Sequence, residues 1–593
     1  MQRVSLILIV AVLLMGPGRA RADGRPDTLE GSGDGHRRYT DDRLWKRRIS
    51  IRELEARALR APRDPRILGR LGQAYLDAGF LHLARQTFER TLQLVPEDPD
   101  AHFGLGRVCE REWLAAPASG SADAAMGHFV RATHARPGFW EAWTALAVLR
   151  FERRNPRGAR EAAVNALVAM PDRVEPQIAN AYLAYRNGLI ALSDSLFTIA
   201  IPRLPAGIAA RFDDISPLLT PDEGVSLGRM KSQERAEYAR RFWTGSDPDP
   251  TTPQNEARLE FHSRLAHAML LLGDPWSPRW YTRTDLYARY GRLVQIEDPF
   301  DPHHDEMPHV AWGEQPVMPT PKALAALGQI ATKEGRAVFA PLPPGTRELP
   351  IATLVSRFEG ASVPRLLAQV ETRGSPGDTV TADCAVLDSL RRTVARATRS
   401  LSESACDPTA RRVGEFAFEL KPGRYELAFA VHDMLNGRGV VRTRKEVTPV
   451  SSALSMSDVV LQCGPADRST SQRAIRLSPN ILARVEGGQP LVAYFEIYHL
   501  RSDAKGGNRF EYEYSVRDME ADGRSSERPA AKAASQLAFH SMQEGVGALR
   551  RQFITVPTGS LPPGRYRLTI LVRDTLAGTK TEQSVDFVKS RQG

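Results

Sequence analysis

The chain has 593 residues, 42% of them hydrophobic and 25% charged, and a net charge of +10. At roughly 100 to 200 residues per domain this length excludes a single core and calls for about three to five domains, while the ordinary composition excludes a wholly disordered or fibrous chain. The positive balance is spread along the sequence without a Lys/Arg run, which argues against a nucleic-acid-binding arm and for a basic solvated surface.

Arg3 opens the chain with a positive charge, Leu6 to Met15 form a short apolar segment, and Ala20-Arg21-Ala22 offers an A-x-A exit. This is the pattern of a secretory signal peptide over 1–22, cleaved after Ala22. The apolar segment is short for a permanent span, which needs about 20 residues, and no later segment supplies one. The mature chain is therefore expected in the periplasm or outside the cell with no stable transmembrane span, retention of the segment as an anchor being the alternative. A basic exported surface makes an anionic envelope polymer a candidate partner.

Export permits disulfides. Cys109 falls in a helical region and Cys384, Cys406 and Cys463 in a β-rich one. Cys384–Cys406 is the favoured pair and Cys384–Cys463 the alternative, because spacing does not decide connectivity. With neither C-x-x-C nor a zinc-type spacing, the cysteines call for no metal or other cofactor.

Residues 23–40 are polar and Gly-rich and are expected to be disordered; a charged helix should follow to Arg60. From 41 to 205 a repeat then governs the sequence. Leu71-Gly72-x-x-Tyr75, Ala84, Phe88 and Pro96 are restated by Leu105-Gly106, Ala125, Phe129, Ala132 and Pro137, with a short insertion around 115–123. Trp143-x-x-Leu146-Ala147, Ala159, Ala166 and Pro171 make a third copy, and Ser193, Phe197, Ala200 and Pro205 a weaker fourth. Small residues at Gly72, Ala84, Gly106 and Ala159 let paired helices approach, Tyr75 and Phe88 fill the gap to the next pair, and proline ends the second helix. This spacing resembles the tetratricopeptide repeat (TPR), an all-α solenoid, and the resemblance implies a concave surface for a protein or peptide partner.

Residues 206–360 form a central segment. Thr252 and Pro253 read as the start of a helix, on which Phe261, Leu265, Ala268, Met269 and Leu272 share one apolar face. The run 286–291 reads as strand-like. Phe242-Trp243, Asp247-Pro-Asp-Pro250, Asn255-Glu256, Glu260-Phe261, Trp280-x-Thr282-Arg283 and Tyr287-x-x-Tyr290-Gly291, in this order, resemble the GWxTD-domain family of bacterial exported proteins, which has no assigned chemistry. Arg279 stands where that family's motif has glycine, and the motif's Asp is missing after Thr282. Trp243, Asn255, Glu256, Trp280, Tyr287 and Tyr290 are the candidate binding residues, as groove-lining aromatics and polar anchors; packing in a core is the competing role for the aromatics. Gly224-x-Ser226-x-Gly228 has the letters of a nucleophile elbow, but Thr220-Pro-Asp-Glu before it announces a helix, so no catalytic serine is assigned. His303-His304-Asp305-Glu306-x-x-His309 reads as a polar loop rather than a metal site.

Beyond 360 the pattern turns to period two. Leu420-Lys-Pro-Gly423-Arg-Tyr425-Glu-Leu427 is restated by Leu561-Pro-Pro-Gly564-Arg-Tyr566-Arg-Leu568, where a tight turn leads into a strand and the tyrosine can close a corner. Two immunoglobulin-like antiparallel β-sandwiches are expected, over 361–465 and 466–593, the second with a polar insertion at 520–548. Segments around Ser457 and Glu496 also resemble those accompanying the GWxTD domain. Strand-borne Glu496 is expected to face solvent or an arginine.

The fold class expected is thus a TPR-like solenoid, a small α+β GWxTD-like domain and two sandwiches. With no coherent triad, carboxylate dyad or nucleotide loop, these features point to a non-enzymatic scaffold of the cell envelope, without cofactor or nucleic acid, binding its partner through the array. The alternatives are an envelope hydrolase or polymer-processing factor built on the central segment, or a carbohydrate or envelope-polymer binder using the sandwiches.

Overall fold

A computed structural model of the chain describes residues 51–115, 120–272, 346–360, 362–375, 377–463, 477–519 and 537–591, with 288–289, 295–296, 310–311 and 342. The expected signal peptide, the stretch 23–40, Trp280, Thr282, Tyr287, Tyr290 and the His303–His309 loop lie outside the described residues. Two compact units emerge: Met1–Asp247 with Gln254–Gly345, and Pro248–Pro253 with Thr346–Gly593.

The first unit is helical. After α1 (51–60) come four pairs: α2 (Pro65–Ala78) and α3 (Leu81–Leu94), α4 (Pro99–Ala115) and α5 (Ser121–Ala135), α6 (Trp140–Glu152) and α7 (Pro156–Ala169), α8 (Val174–Arg186) and α9 (Ile190–Ala200). Local chemistry sets their ends. Asp64 caps α2 by accepting from Arg66 N at 2.9 Å, with Pro65 at the first helical position. Gly79, at φ +82°, closes it in the left-handed conformation that glycine tolerates. The expected close approaches are present: a Cβ on Gly72 would meet the Phe88 ring at 2.8 Å, so that glycine lets Phe88, itself fully buried, seat between α2 and α3.

First helices of neighbouring pairs touch one another, α2 with α4 and α6 with α8, which puts them on the inner side of the curved stack. Beyond Pro205 the pair rhythm ends in α10 (Ala206–Asp213), α11 (Pro221–Arg229), α12 (Ser232–Ser246) and α13 (Glu256–His267), the last continued by a π-turn over Ala268–Leu272. A capping box between Thr220 and Glu223 starts α11, and Ser226 Oγ donates to Asp222 O within that helix, at 2.8 Å. Two expectations change here. Asn255 rather than Thr252 caps α13, Thr252 lying in a turn closed onto Asp249 O; residues 288–289, expected in a strand, have helical backbone.

The second unit is β-rich; two short strands, β1 (Gln295–Ile296) and β2 (Val310–Ala311), pair in the first unit. In chain order the second unit has β3 (Arg347–Glu348), β4 (Ile351–Phe358), β5 (Arg365–Arg373), β6 (Val380–Leu387), β7 (Thr393–Ser400), β8 (Ser402–Glu403), β9 (Arg411–Glu419), β10 (Gly423–Asp433) and β11 (Gly437–Val447). There follow β12 (Ser455–Met456), β13 (Val460–Gln462), β14 (Arg484–Glu486), β15 (Leu491–Tyr498), β16 (Gly507–Asp518), β17 (Leu537–Val546), β18 (Arg550–Val556), β19 (Gly564–Asp574) and β20 (Lys580–Ser590). Strand β17 replaces part of the expected polar insertion, because residues 537–546 pair along β16.

The sequence repeat reappears as a repeat of topology. One sheet runs β3-β11-β10-β6-β7 and its counterpart β14-β20-β19-β16-β17. The first packs on β4-β5-β9-β8 around Leu366, Phe416, Leu427 and Phe429; the second packs on β15, flanked by β12, β13 and β18, around Phe495, Phe510, Tyr566 and Ile570. Both corner tyrosines donate as the motif implies, Tyr425 to Lys421 O at 2.9 Å and Tyr566 to Pro562 O at 2.7 Å.

The disulfide differs from expectation. Cys406 pairs with Cys463, their Cα atoms 5.0 Å apart. Cys384 joins neither favoured nor alternative partner: with Ala382 and Val386 it points into the first sandwich core, as period-two alternation on β6 dictates. Cys406 lies instead on the β8–β9 loop and Cys463 just after β13. Among the described residues no helix is long and apolar enough to cross a membrane.

Candidate functional site on the inner face of the array

The inner face of an array is built from the first helix of each pair, so repeat spacing tells which side chains are equivalent. Tyr182, Tyr185 and Arg186 on α8 occupy the positions of Val148, Phe151 and Glu152, 34 residues earlier on α6. The same positions are Arg107, Glu110 and Arg111 on α4 and Gln73, Leu76 and Asp77 on α2.

On the last two repeats this face is already taken by the chain itself. Helix α13 packs against α8, α9 and α10, and its π-turn against α6. His267 stacks on Tyr182 with ring centroids 5.0 Å apart, and its Nε2 lies 3.2 Å from Glu152 Oε1. The Tyr182 hydroxyl donates to the same Glu152 oxygen at 3.1 Å. Two turns back along α13, the Tyr185 hydroxyl bonds Glu260, which Arg264 holds at 2.8 Å.

Burial sets the charge states. It pushes the His267 pKa down to about 3, helped by Arg186, and that of His262 to about 3, helped by Arg258. Both imidazoles are therefore neutral near pH 7. Glu260 behaves oppositely: burial alone would raise its pKa, but the Arg264 charge and hydrogen bond leave it lowered, so it stays ionised. The result is a helix seated by ring stacking, a neutral histidine and a compensated Glu–Arg pair.

The first two repeats present different chemistry at the same positions. Gln73 and Asp77 are exposed and bonded to each other at 2.7 Å, while Arg107 and Arg111 are half-buried. Arg107 pairs with Glu110, and Arg111 donates to Leu76 O. Glu110 is buried, which raises its pKa against the pull of Arg107 and Arg111, and among the described residues its Oε1 accepts no hydrogen bond. Deeper in this repeat, His102 and His128 approach Nδ1 to Nδ1 at 3.1 Å. Because His102 Nε2 lies 3.0 Å from the Pro96 carbonyl it must carry the proton there, which makes His128 Nδ1 the donor between the rings.

Of the residues singled out from sequence, the structure brings Trp243, Asn255 and Glu256 together, but as packing. Trp243 is buried, 5.1 Å from Phe242 and 5.5 Å from Phe261 between ring centroids. Asn255 accepts from Arg258 N at 2.9 Å and donates to Trp243 O at 2.7 Å, so it caps α13 and ties it to α12. Glu256 is buried at the first turn of α13. Trp280, Tyr287 and Tyr290 lie outside the described residues. Sequence reasoning missed Glu152, Tyr182 and Tyr185; the available signal was aromatic side chains in later repeats where earlier ones carry Gln73 and Arg107. Of the two surroundings expected for Glu496 the arginine is present and the solvent is not: it is buried, accepting from the hydroxyls of Tyr494 at 2.5 Å and Tyr498 at 2.7 Å and from Arg551 Nε at 3.3 Å.

A tetratricopeptide repeat family model matches residues 69–112. The array is built of TPR-type repeats. No curated protein matches the chain. Among solved structures it is similar to a thermophilic TPR protein from Thermus thermophilus, with 16% identity, 29% of this chain and 92% of that one covered, and TM-score 0.25. It is also similar to YrrB, described as a TPR protein with an unusual peptide-binding site, with 15% identity, coverage of 31% and 90%, and TM-score 0.23. A tetratricopeptide repeat protein from Parabacteroides merdae gives 15% identity, 43% and 90% coverage, and TM-score 0.26.

Proposed function

We propose that the protein is an exported, non-enzymatic interaction scaffold of the bacterial cell envelope, taking a protein or peptide partner on the inner face of its first two repeats. The observation that carries this reading is the equivalence of positions along the array. Where the last two repeats hold a helix of the chain itself, the first two offer Gln73, Asp77, Arg107 and Arg111. Such a face suits a segment bearing both acidic and amide or basic groups. Export is supported by the Arg3 to Ala22 signal pattern and by the Cys406–Cys463 bridge, a bond that persists in oxidising compartments. On this reading the central segment is a GWxTD-like domain and the sandwiches are immunoglobulin-like.

The test uses the full chain with Gln73→Lys and Asp77→Lys together, since both side chains are exposed and their replacement leaves the core intact. Envelope proteins retained by the wild type in a pull-down should be lost, with an unchanged melting temperature. Retention of every partner would sink the proposal. N-terminal sequencing of the exported protein should begin at Asp23.

A further inference from the structure

The two large sheets share one topology, so their outer strands β7 and β17 occupy equivalent edges. An open strand edge carries unpaired N–H and C=O groups and templates further pairing unless it is charged or covered. Strand β7 is guarded in both ways. It carries Arg396 and Arg399, and Arg396 donates to the carbonyls of Pro250 at 3.0 Å and Thr252 at 3.5 Å, which lays the segment 248–253 beside it. Strand β17 is not. It is ten residues long, Leu537 to Gln543 contain no Asp, Glu, Lys or Arg, and among the described residues only β16 pairs with it. Phe539, Met542 and Val546 stand 46%, 55% and 75% exposed.

We propose that β17 is a homodimerisation edge, pairing antiparallel with β17 of a second copy about a twofold axis at Met542. The sequence of the strand fits itself in this register. Met542 faces Met542, His540 faces Glu544, Ala538 faces Val546, Ser541 faces Gln543 and Phe539 faces Gly545 of the second copy. Within one copy Glu513 lies opposite His540 and Arg509 opposite Glu544, the latter ion-paired at 2.7 Å. Pairing therefore lines up Glu513, His540, Glu544 and Arg509 across the two copies, acid and base alternating in one row. His540 Nε2 also lies 3.6 Å from Glu511, a second acid on the same side. On the other face Phe539, stacked on Tyr514 at 5.3 Å, would cross the one residue without a side chain, Gly545, over which the Arg550 guanidinium already lies. Guanidinium over an aromatic ring is a favourable contact. The two five-stranded sheets would become one continuous sheet of ten.

Sedimentation velocity on the full-length protein should show a concentration-dependent monomer–dimer equilibrium. Met542→Lys sets two ammonium groups against each other on the axis, and like charges directly opposite weaken a strand pair, so the dissociation constant should rise about tenfold or more. Because Met542 is exposed, the variant's melting temperature should equal that of the wild type when both are measured dilute enough to be monomeric. Register is read by cysteine crosslinking. Met542→Cys should oxidise to a covalent dimer, since facing Cα atoms in an antiparallel pair lie about 4.5 to 5.5 Å apart, whereas His540→Cys should not, its counterpart being several residues away. A wild type monomeric at every concentration, a Met542→Lys variant that associates as well as wild type, or equal crosslinking at 540 and 542 would each overturn the proposal.

Discussion

The two halves of the helical array use the same backbone positions for opposite ends. In the last two repeats Phe151, Tyr182 and Tyr185 enclose α13 with Glu152 buried among them; in the first two, Gln73 and Arg107 stand where Val148 and Tyr182 do, and Asp77 and Arg111, at the positions of Glu152 and Arg186, stay exposed or half-buried. A TPR groove is thus a receiving surface whose occupant is chosen by side chains at a few repeat positions. This chain carries its own occupant for one half, so that half has become core. The lesson is that a solenoid's binding capacity must be counted by open repeats, not by repeats present.

The comparison breaks most sharply at the centre of the enclosed half. Phe261 is fully buried on α13, and Phe261→Ala should cost the helical unit about 3 to 5 kcal/mol through lost transfer energy and the cavity left behind. Chemical denaturation of the full chain measures it. A loss below about 1 kcal/mol would mean that α13 merely rests on the array.

Acid should act on the same half next. His262 and His267 have folded pKa values of about 3, below the ordinary 6.5, so between those limits the unfolded chain binds more protons than the folded one. Their contribution is fully present above pH 6.5 and is lost as pH falls towards 3, at about 1.4 kcal/mol per pH unit for each group. Melting temperatures from pH 7 to 4 should fall along this slope, and His267→Gln should flatten it. His128, pushed to about 4 by burial and by His102, adds a similar pull in the second repeat, and His128→Gln separates the two halves.

Asn255→Ala is a smaller disturbance. It removes the cap of α13 and the bond to Trp243 O, and should cost about 1 kcal/mol, read from the same denaturation curves.

How much of this was legible follows from what each signal encodes. The array was legible because Leu-Gly, Phe and Pro recur at fixed offsets, and helix packing leaves them little freedom. The sandwich repeat was legible through the Pro-Gly-x-Tyr turn. The destination of α13 was not. Periodicity marked Phe261 and Leu265 as one apolar stripe, whereas Glu256, His262, Ser263 and His267 are buried on the remaining faces, and only the tertiary fold supplies their cover. The disulfide was misread although Ala382, Cys384 and Val386 already alternate as inward residues. Strand β17 was hidden because the Ala- and Ser-rich run before it set the composition of the window, masking the alternation around Phe539 and Met542.

The smallest expected effect sharpens the comparison from the open half. Gln73→Ala with Asp77→Ala removes two exposed side chains that bond each other across one turn of α2, and surface changes of this kind stay within about 0.5 kcal/mol. Tyr185, equivalent to Leu76 in the same register, is buried beneath Glu260, and Tyr185→Ala should cost several-fold more because it empties the seat of α13. If the two changes cost the same in parallel denaturation curves, the open half is covered as the closed half is. If they differ as expected, Gln73 and Asp77 can be altered without touching the fold, which is the property the proposed docking face requires.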